Sequence, residues 1–191
     1  MCAAVLVPIK DFRQAKQRLA PVLSVDERIE LARRMAAHVL TVASPFDVYV
    51  VCDDHDVAAL AKEHHAEVLW CPSLGLNGAI AQGVRHIERT ASRVLIAHTD
   101  LPLASSFAHV MDTPGVAIVA DRHGRGTNVM ALPTASQFVF HYGPGSFAAH
   151  QLEATRCGLT VQTIVDDHLA WDVDNPEDLR HPGLSNFLLS R

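Results

Sequence analysis

Seven short apolar runs, each bounded by turn or charged residues, set the terms for this chain: "AAVLVPI", "DVYVVCD", "AEVLWCP", "RVLIAHTD", "GVAIVAD", "TNVMALP" and "TVQTIVD". Each has the length of a strand, and most are rich in Val and Ile. Helical patterns lie between them. The clearest is "SVDERIELARRMAAHVLTVA", where Ser24 and Glu27 have capping-box spacing and Ile29, Ala32, Ala36, Val39 and Ala43 recur at helical spacing. A second helix is expected after "CDDHD", a third over 77–91, a short fourth after Pro102 and a fifth from near Ser146. Strands alternating with helices predict an α/β fold with a mostly parallel mixed sheet flanked by helices on both faces. Such a sheet takes ligands outside the carboxyl ends of its strands.

At 191 residues the chain fits one domain, 1–191, because a chain of that size buries about 70% of its unfolded surface around a single core. A net charge of -5 argues against a general nucleic-acid or anionic-membrane binder, so any bound anion must be held locally. No stretch approaches the roughly 18 apolar residues of a membrane span, and "MCAAVLVPIK" lacks a basic leader before its apolar run. The expected compartment is the cytoplasm. Cys2, Cys52, Cys71 and Cys157 are scattered with no C-x-x-C, which points to reduced core residues rather than a zinc site or a disulfide framework.

Four constellations carry chemistry. The turn "PIKDFRQAKQRL" after the first strand places Lys10, Arg13, Lys16 and Arg18 within nine positions. These side chains offer charge-assisted hydrogen bonds to phosphate, although a solvated basic loop accounts for the same charges. Asp100, at the end of "RVLIAHTD", would suit a divalent cation bridging substrate phosphates, or equally a cap for a helix in "LASSFAHVM".

In "WDVDNPEDL", Asp172 and Asp174 are two apart in an extended stretch and project to the same side, a repulsion that a cation or a proton would resolve. Asp174 or Asn175 would also open a short helix at Pro176. Finally, "RGTNV" and "HYGPGSFAAH" combine Thr127, Gly143, Gly145 and Ser146: glycines that admit a ligand to the backbone, hydroxyl donors, and a helix start with free amides. An ordinary turn with an N-cap needs no ligand there.

"CDDHD" reads as a strand end running into a helix start, "RHGRG" as a mobile turn, and His64 and His65 as solvent-facing. Walker A, G-x-G-x-x-G and G-x-S-x-G sequences are absent.

"VPIKDFRQAKQRL", "GLNGAI", "TDLPL", "GTNVMAL", "GPGSFAAH" and "WDVDNPEDL", in this order from residue 5 to about 179, resemble the guanylyltransferases of deazaflavin coenzyme F-420 biosynthesis, the CofC/FbiD family. The resemblance implies a GT-A-like nucleotidyltransferase fold. It also implies transfer of GMP from GTP to a phosphorylated three-carbon acid (phosphoenolpyruvate, 2-phospho-L-lactate or 3-phospho-D-glycerate) with release of pyrophosphate, and Mg2+ as cofactor. By motif matching, Lys10, Lys16 and Arg18 would face the triphosphate, with Lys16 and Asp100 catalytic. Asn77 and Gly78 would lie near the guanosine, Asp100, Asp172 and Asp174 would hold metal, and Thr127, Gly143 and Ser146 would hold the acid. The protein would work as a monomer or homodimer.

The wider nucleotidyltransferase superfamily opens with a glycine-rich loop where this chain has Pro8, Ile9 and Lys10, a replacement the narrower family shares. His98, Met130 and His141 lie beside these motifs and receive no role from the resemblance. The competing readings are another cofactor or sugar nucleotidyltransferase of the same fold, a glycosyltransferase using "DVD" for its metal, and a non-catalytic GTP-binding regulator.

Overall fold

The computed structural model describes residues 2–185 and Phe187; Met1, Asn186 and 188–191, which belong to the expected domain, lie outside the described residues. All seven expected strands form: β1 (Ala3–Pro8), β2 (Asp47–Cys52), β3 (Glu67–Trp70), β4 (Arg93–Ala97), β5 (Val116–Ala120), β6 (Thr127–Pro133) and β7 (Val161–Thr163). They make one sheet in the order β3-β2-β1-β4-β6-β5-β7. β1 pairs in parallel with β2 and β4, β2 with β3, and β5 with β7, whereas β6 runs antiparallel to both β4 and β5. The sheet is therefore mixed and mostly parallel.

Alternation along the strands builds a core on each face. Val5 and Val7 of β1 and Leu95 and Ala97 of β4 pack under α1 (Val25–Ala43), α2 (His55–Glu63) and α4 (Ala108–Asp112). Leu6, Ile96, Ile118 and Met130 pack under α3 (Gly75–Ile87) and α5 (Ser146–Arg156) on the other face. The capping box of α1 forms as spaced: the Ser24 hydroxyl accepts the Glu27 N–H at 3.3 Å, and the Glu27 carboxylate accepts the Ser24 N–H at 2.8 Å.

Two helices depart from expectation. α3 starts two residues earlier than expected and ends at Ile87, because the chain must return from there to enter β4. The helix after Pro102 begins only at Ala108, whose N–H is accepted by the Ser106 hydroxyl at 3.2 Å. Asp100 is too far upstream to cap it, so the capping alternative for Asp100 is excluded.

Successive strands step outward from β1 to β3, and β4 then returns to the opposite side of β1. Where the strand order reverses, the connections leave in opposite directions and a crevice opens at the carboxyl edge. Into that crevice run the turn after β1 and the segment after β4. Close approach of α3 to β1 keeps the crevice in place: a Cβ on Gly83 would stand 2.8 Å from Leu6 and 3.0 Å from Val51. Gly83→Val should therefore overpack this seam, costing about 2 kcal/mol and lowering the melting temperature by roughly 4–8 °C. An unchanged melting curve would show that the helix rides over the sheet without cost.

Candidate active site

Lys16 is the centre of the crevice. It adopts a left-handed backbone conformation, φ 53°, which re-aims the chain between two 3-10 turns. A non-glycine residue there costs on the order of 1–3 kcal/mol. The return is electrostatic: the Lys16 Nζ donates to Asp100 Oδ2 at 2.7 Å and to Asp174 Oδ1 at 3.0 Å, with only 10% of its side chain exposed. Behind it, Arg28, 6% exposed, donates to the Ala15 carbonyl at 3.4 Å and braces the turn.

The other basic residues of the turn divide. Arg18, largely exposed, donates to Asp174 Oδ2 at 3.2 Å. Arg13 turns aside to Asp11 and Asp54, and Asp54 is itself the cap of α2. Lys10 is exposed and enters no ion pair among the described residues; with Lys16 and Thr99 it lines a cavity of about 160 Å³.

Charges in this cluster respond to burial and to one another. Burial alone would drive the Lys16 pKa down, yet Asp100 and Asp174 hold it above its ordinary value. Burial likewise pushes the Asp100 pKa up, and Lys16 outweighs it, so this carboxyl titrates below the usual range. Asp172 has no lysine of its own; burial, and next the charge of Asp100, push its pKa up to about 6.

The segment carrying Asp172 and Asp174 is anchored rather than free. Val173 is 1% exposed and packs with Leu19, Leu31 and Met35, while its N–H donates to the Asp100 carbonyl at 3.1 Å. With Val173 turned in, the two flanking aspartates face the crevice, as their spacing implies. Asp178, fully buried, accepts the Asp174 and Asn175 N–H groups at 2.8 and 2.7 Å and pairs with Arg122. Arg122 also donates to the Asp172 carbonyl at 3.0 Å and covers the Trp171 ring at 4.5 Å. Asn175 occupies the cap position of the 3-10 turn Pro176–Arg180, the short helix expected at Pro176.

The expected metal triad of Asp100, Asp172 and Asp174 is not preformed. Among the described residues no group of three or more His, Cys, Asp or Glu side chains is arranged to hold a metal ion. Asp174 has both its oxygens on Lys16 and Arg18. Asp100 Oδ1 and Asp172 Oδ1 remain, buried and without hydrogen-bond partners, the latter 3.7 Å from Arg122 Nη1. Two carboxylates with free oxygens fit Mg2+, which keeps several waters and is usually held by one or two carboxylates together with substrate phosphates.

The opposite wall also differs from expectation. Asn77 lies within α3 and spends its side chain on Tyr142, accepting the Tyr142 N–H at 2.7 Å and donating to its carbonyl at 3.0 Å. Gly78 sits in the same helix, where an added Cβ would meet Leu74 at 3.1 Å. Thr127 and Ser146 are each 2% exposed: the Ser146 hydroxyl accepts the Thr127 N–H at 3.0 Å, and the Thr127 hydroxyl meets His150 Nδ1 at 3.0 Å. His150 Nε2 accepts the His141 N–H, and burial lowers the His150 pKa to about 4, so the ring is neutral with its proton on Nδ1.

Thr127 and Ser146 thus tie α5 to β6 from inside. Two of the expected free amides of α5 are spent as well, the Ser146 N–H on the Gly143 carbonyl and the Phe147 N–H on the Arg125 carbonyl. What remains open is the glycine loop: Gly143, φ 138°, and Gly145, φ 77°, hold conformations that L side chains rarely adopt, with empty space where a Cβ would stand. The "RHGRG" turn is ordered by Asp121, whose carboxylate accepts the N–H groups of His123, Arg125 and Gly126.

Sequence reasoning passed over Arg28, Arg122, Tyr142 and Asp178. Only Asp178 had a signal, its position three residues after Asn175 at a helix start.

A family model described as "Guanylyl transferase CofC like" matches residues 3–182. A phosphoenolpyruvate guanylyltransferase from Roseiflexus castenholzii is 36% identical, over 91% of this chain and 84% of its own length. A 2-phospho-L-lactate guanylyltransferase from Methanocaldococcus jannaschii is 29% identical, over 92% of this chain and 80% of its own. Among solved structures, a nucleotidyl transferase from Methanothermobacter superposes with a TM-score of 0.65 at 14% identity, covering 93% of this chain and 94% of that one.

The raised Asp172 pKa has a stability consequence. Its carboxyl binds a proton more tightly folded than unfolded, so stability falls as pH rises from about 4 to about 6 and the full penalty persists above. Asp172→Asn should raise the melting temperature in chelator at pH 7–8 and leave it unchanged near pH 4. A pH-independent difference between the two melting curves would contradict the assignment.

Proposed function

The chain belongs to the CofC-like guanylyl transferase family, and from that premise we propose that it transfers GMP from GTP to the phosphate of a three-carbon phospho-acid, releasing pyrophosphate, in coenzyme F-420 biosynthesis. The observation that carries this reading is Lys16, held between Asp100 and Asp174 where the order of β1 and β4 reverses, beside two buried carboxylate oxygens that accept no hydrogen bond. Phosphoenolpyruvate is the first acid to try, because it is the acid in the name of the Roseiflexus relative.

Chemically, the acceptor's phosphate oxygen attacks the α-phosphorus of GTP and pyrophosphate leaves. A phosphomonoester with a second pKa near 6 is already mostly dianionic at pH 7, so no general base is required. The obstacle is anion against anion, and it is met by positioning and electrostatics. Lys16 stays protonated, as its raised pKa requires, and turns an ammonium hydrogen toward the leaving phosphates. Arg18 and the unpaired Lys10 flank the same phosphates.

Asp100 and Asp172 would hold Mg2+, which when bound supplies positive charge to the triphosphate. Asp174 has the separate task of holding Lys16 and Arg18 in place. The Gly143–Gly145 loop receives the acid through its backbone, and Thr127 and Ser146 position that loop from behind.

The test offers the purified protein GTP, Mg2+ and each of the three acids, with ATP and CTP as controls, and measures pyrophosphate. Release is expected with GTP and at least one acid. Asp100→Asn and Lys16→Met should each lower the rate by roughly 100-fold or more while circular dichroism stays native. Pyrophosphate from none of the acids with any nucleotide would end the enzyme reading, and release from ATP or CTP in place of GTP would move it to another nucleotidyltransferase of this fold.

A further inference from the structure

Two more buried polar atoms lack hydrogen-bond partners among the described residues. Tyr142 is 7% exposed and its hydroxyl meets no hydrogen-bond partner; the Nε2 of His98 is likewise buried and unpartnered. Their ring centroids lie 5.0 Å apart, and His150 meets Tyr142 edge-on at 4.6 Å. A buried polar group left unsatisfied carries its full desolvation penalty, so a pair of them in one niche calls for an explanation.

Neither group is left unpaired by a loose backbone. Asn77 grips Tyr142 through both its N–H and its carbonyl, and the His98 N–H donates to the Asn128 carbonyl at 3.0 Å, continuing the β4–β6 ladder. The two rings are held in place from separate segments, the residue after β4 and the residue before Gly143, and His98 stands two residues before Asp100.

The chemistry of the niche narrows the ligand. His98 feels Asp100, Lys16 and Asp174, two acids against one ammonium, and that ammonium is already bonded to both acids. With those charges already paired to one another, His98 Nε2 and the Tyr142 hydroxyl are left for hydrogen bonding rather than for pairing with a charge. A neutral hydroxyl, which both donates and accepts, matches a phenol and an imidazole nitrogen. A nucleotide carries such a group on its ribose.

We propose that the Tyr142 hydroxyl and the His98 Nε2 together bind a ribose hydroxyl of the nucleotide and select ribonucleotides over deoxyribonucleotides, a role that rests on the nucleotide reading above. Asn77 is then a positioning residue: its influence on the nucleotide runs through Tyr142 rather than through direct contact.

Calorimetric titration with GTP, 2′-deoxy-GTP and 3′-deoxy-GTP, in Mg2+ and without acid, tests this on the wild type, Tyr142→Phe and His98→Leu. Wild type should lose roughly tenfold in affinity when one of the two ribose hydroxyls is removed. Tyr142→Phe should bind GTP about tenfold more weakly and no longer distinguish it from that deoxynucleotide. Its melting temperature should not fall, because the deleted hydroxyl has no protein partner. His98→Leu should blunt the same discrimination.

Discrimination surviving in both variants would overturn the proposal, as would a lowered melting temperature in Tyr142→Phe with unchanged GTP affinity, the mark of a hydroxyl serving the fold through water. A wild type that binds GTP equally well with either hydroxyl removed would refute this proposal alone, whereas one that binds no GTP would refute the nucleotide reading beneath it.

Discussion

Anionic side chains at one edge of a sheet repel one another, and this molecule tolerates three of them because Lys16 stands buried between two. Asp100 comes from the end of β4 and Asp174 from a loop 74 residues further on, and one ammonium bonds both at 3.0 Å or less. Their attraction outweighs the burial that would otherwise neutralise Lys16, and its charge in turn keeps Asp100 ionised. Asp172 lies just outside this balance and titrates near 6. The same balance leaves one oxygen of Asp100 and one of Asp172 buried without a hydrogen bond among the described residues.

Two supports keep that balance in place. On one side Arg122 and Asp178 lock the 171–178 segment, with Asp178 taking the Asp174 and Asn175 amides and Arg122 spanning Asp178, the Asp172 carbonyl and the Trp171 ring. Removing one partner of such a buried pair leaves an uncompensated charge and is strongly destabilising. On the other side Asn77 fastens Tyr142 to α3, and the Thr127–Ser146–His150 chain fastens α5 to β6. Side chains whose motifs point to ligand contact are thus also bonded to one another and to the backbone around an open glycine loop.

Much of the fold was legible because it rests on local periodicity. The seven apolar runs became seven strands, and Ser24 with Glu27 capped α1 as their spacing implies. The alternation of Asp172, Val173 and Asp174 was equally readable, since a buried valine between two acids forces both acids outward. Reading was incomplete where one residue type suits two environments. A hydroxyl such as Ser146 serves a ligand or a neighbouring amide, and an amide such as Asn77 serves a base or a backbone; nothing in the letters separates these uses. Arg122 sits in a glycine-rich turn that looks featureless until Asp178 is brought beside it.

By itself the sequence determined the α/β class, the strands, the family resemblance and the acids and bases from which the site is made, because these depend on side-chain chemistry and on periods of two and 3.6 residues. The tertiary structure alone decided which acid meets which base. That assignment made Asp174 the partner of Lys16 and Arg18, and left Asp100 and Asp172 with oxygens that accept no hydrogen bond. Ion pairing depends on distances of a few ångströms between residues as far apart as 158 positions in the chain, and only the folded sheet, with β4 returning beside β1, sets those distances.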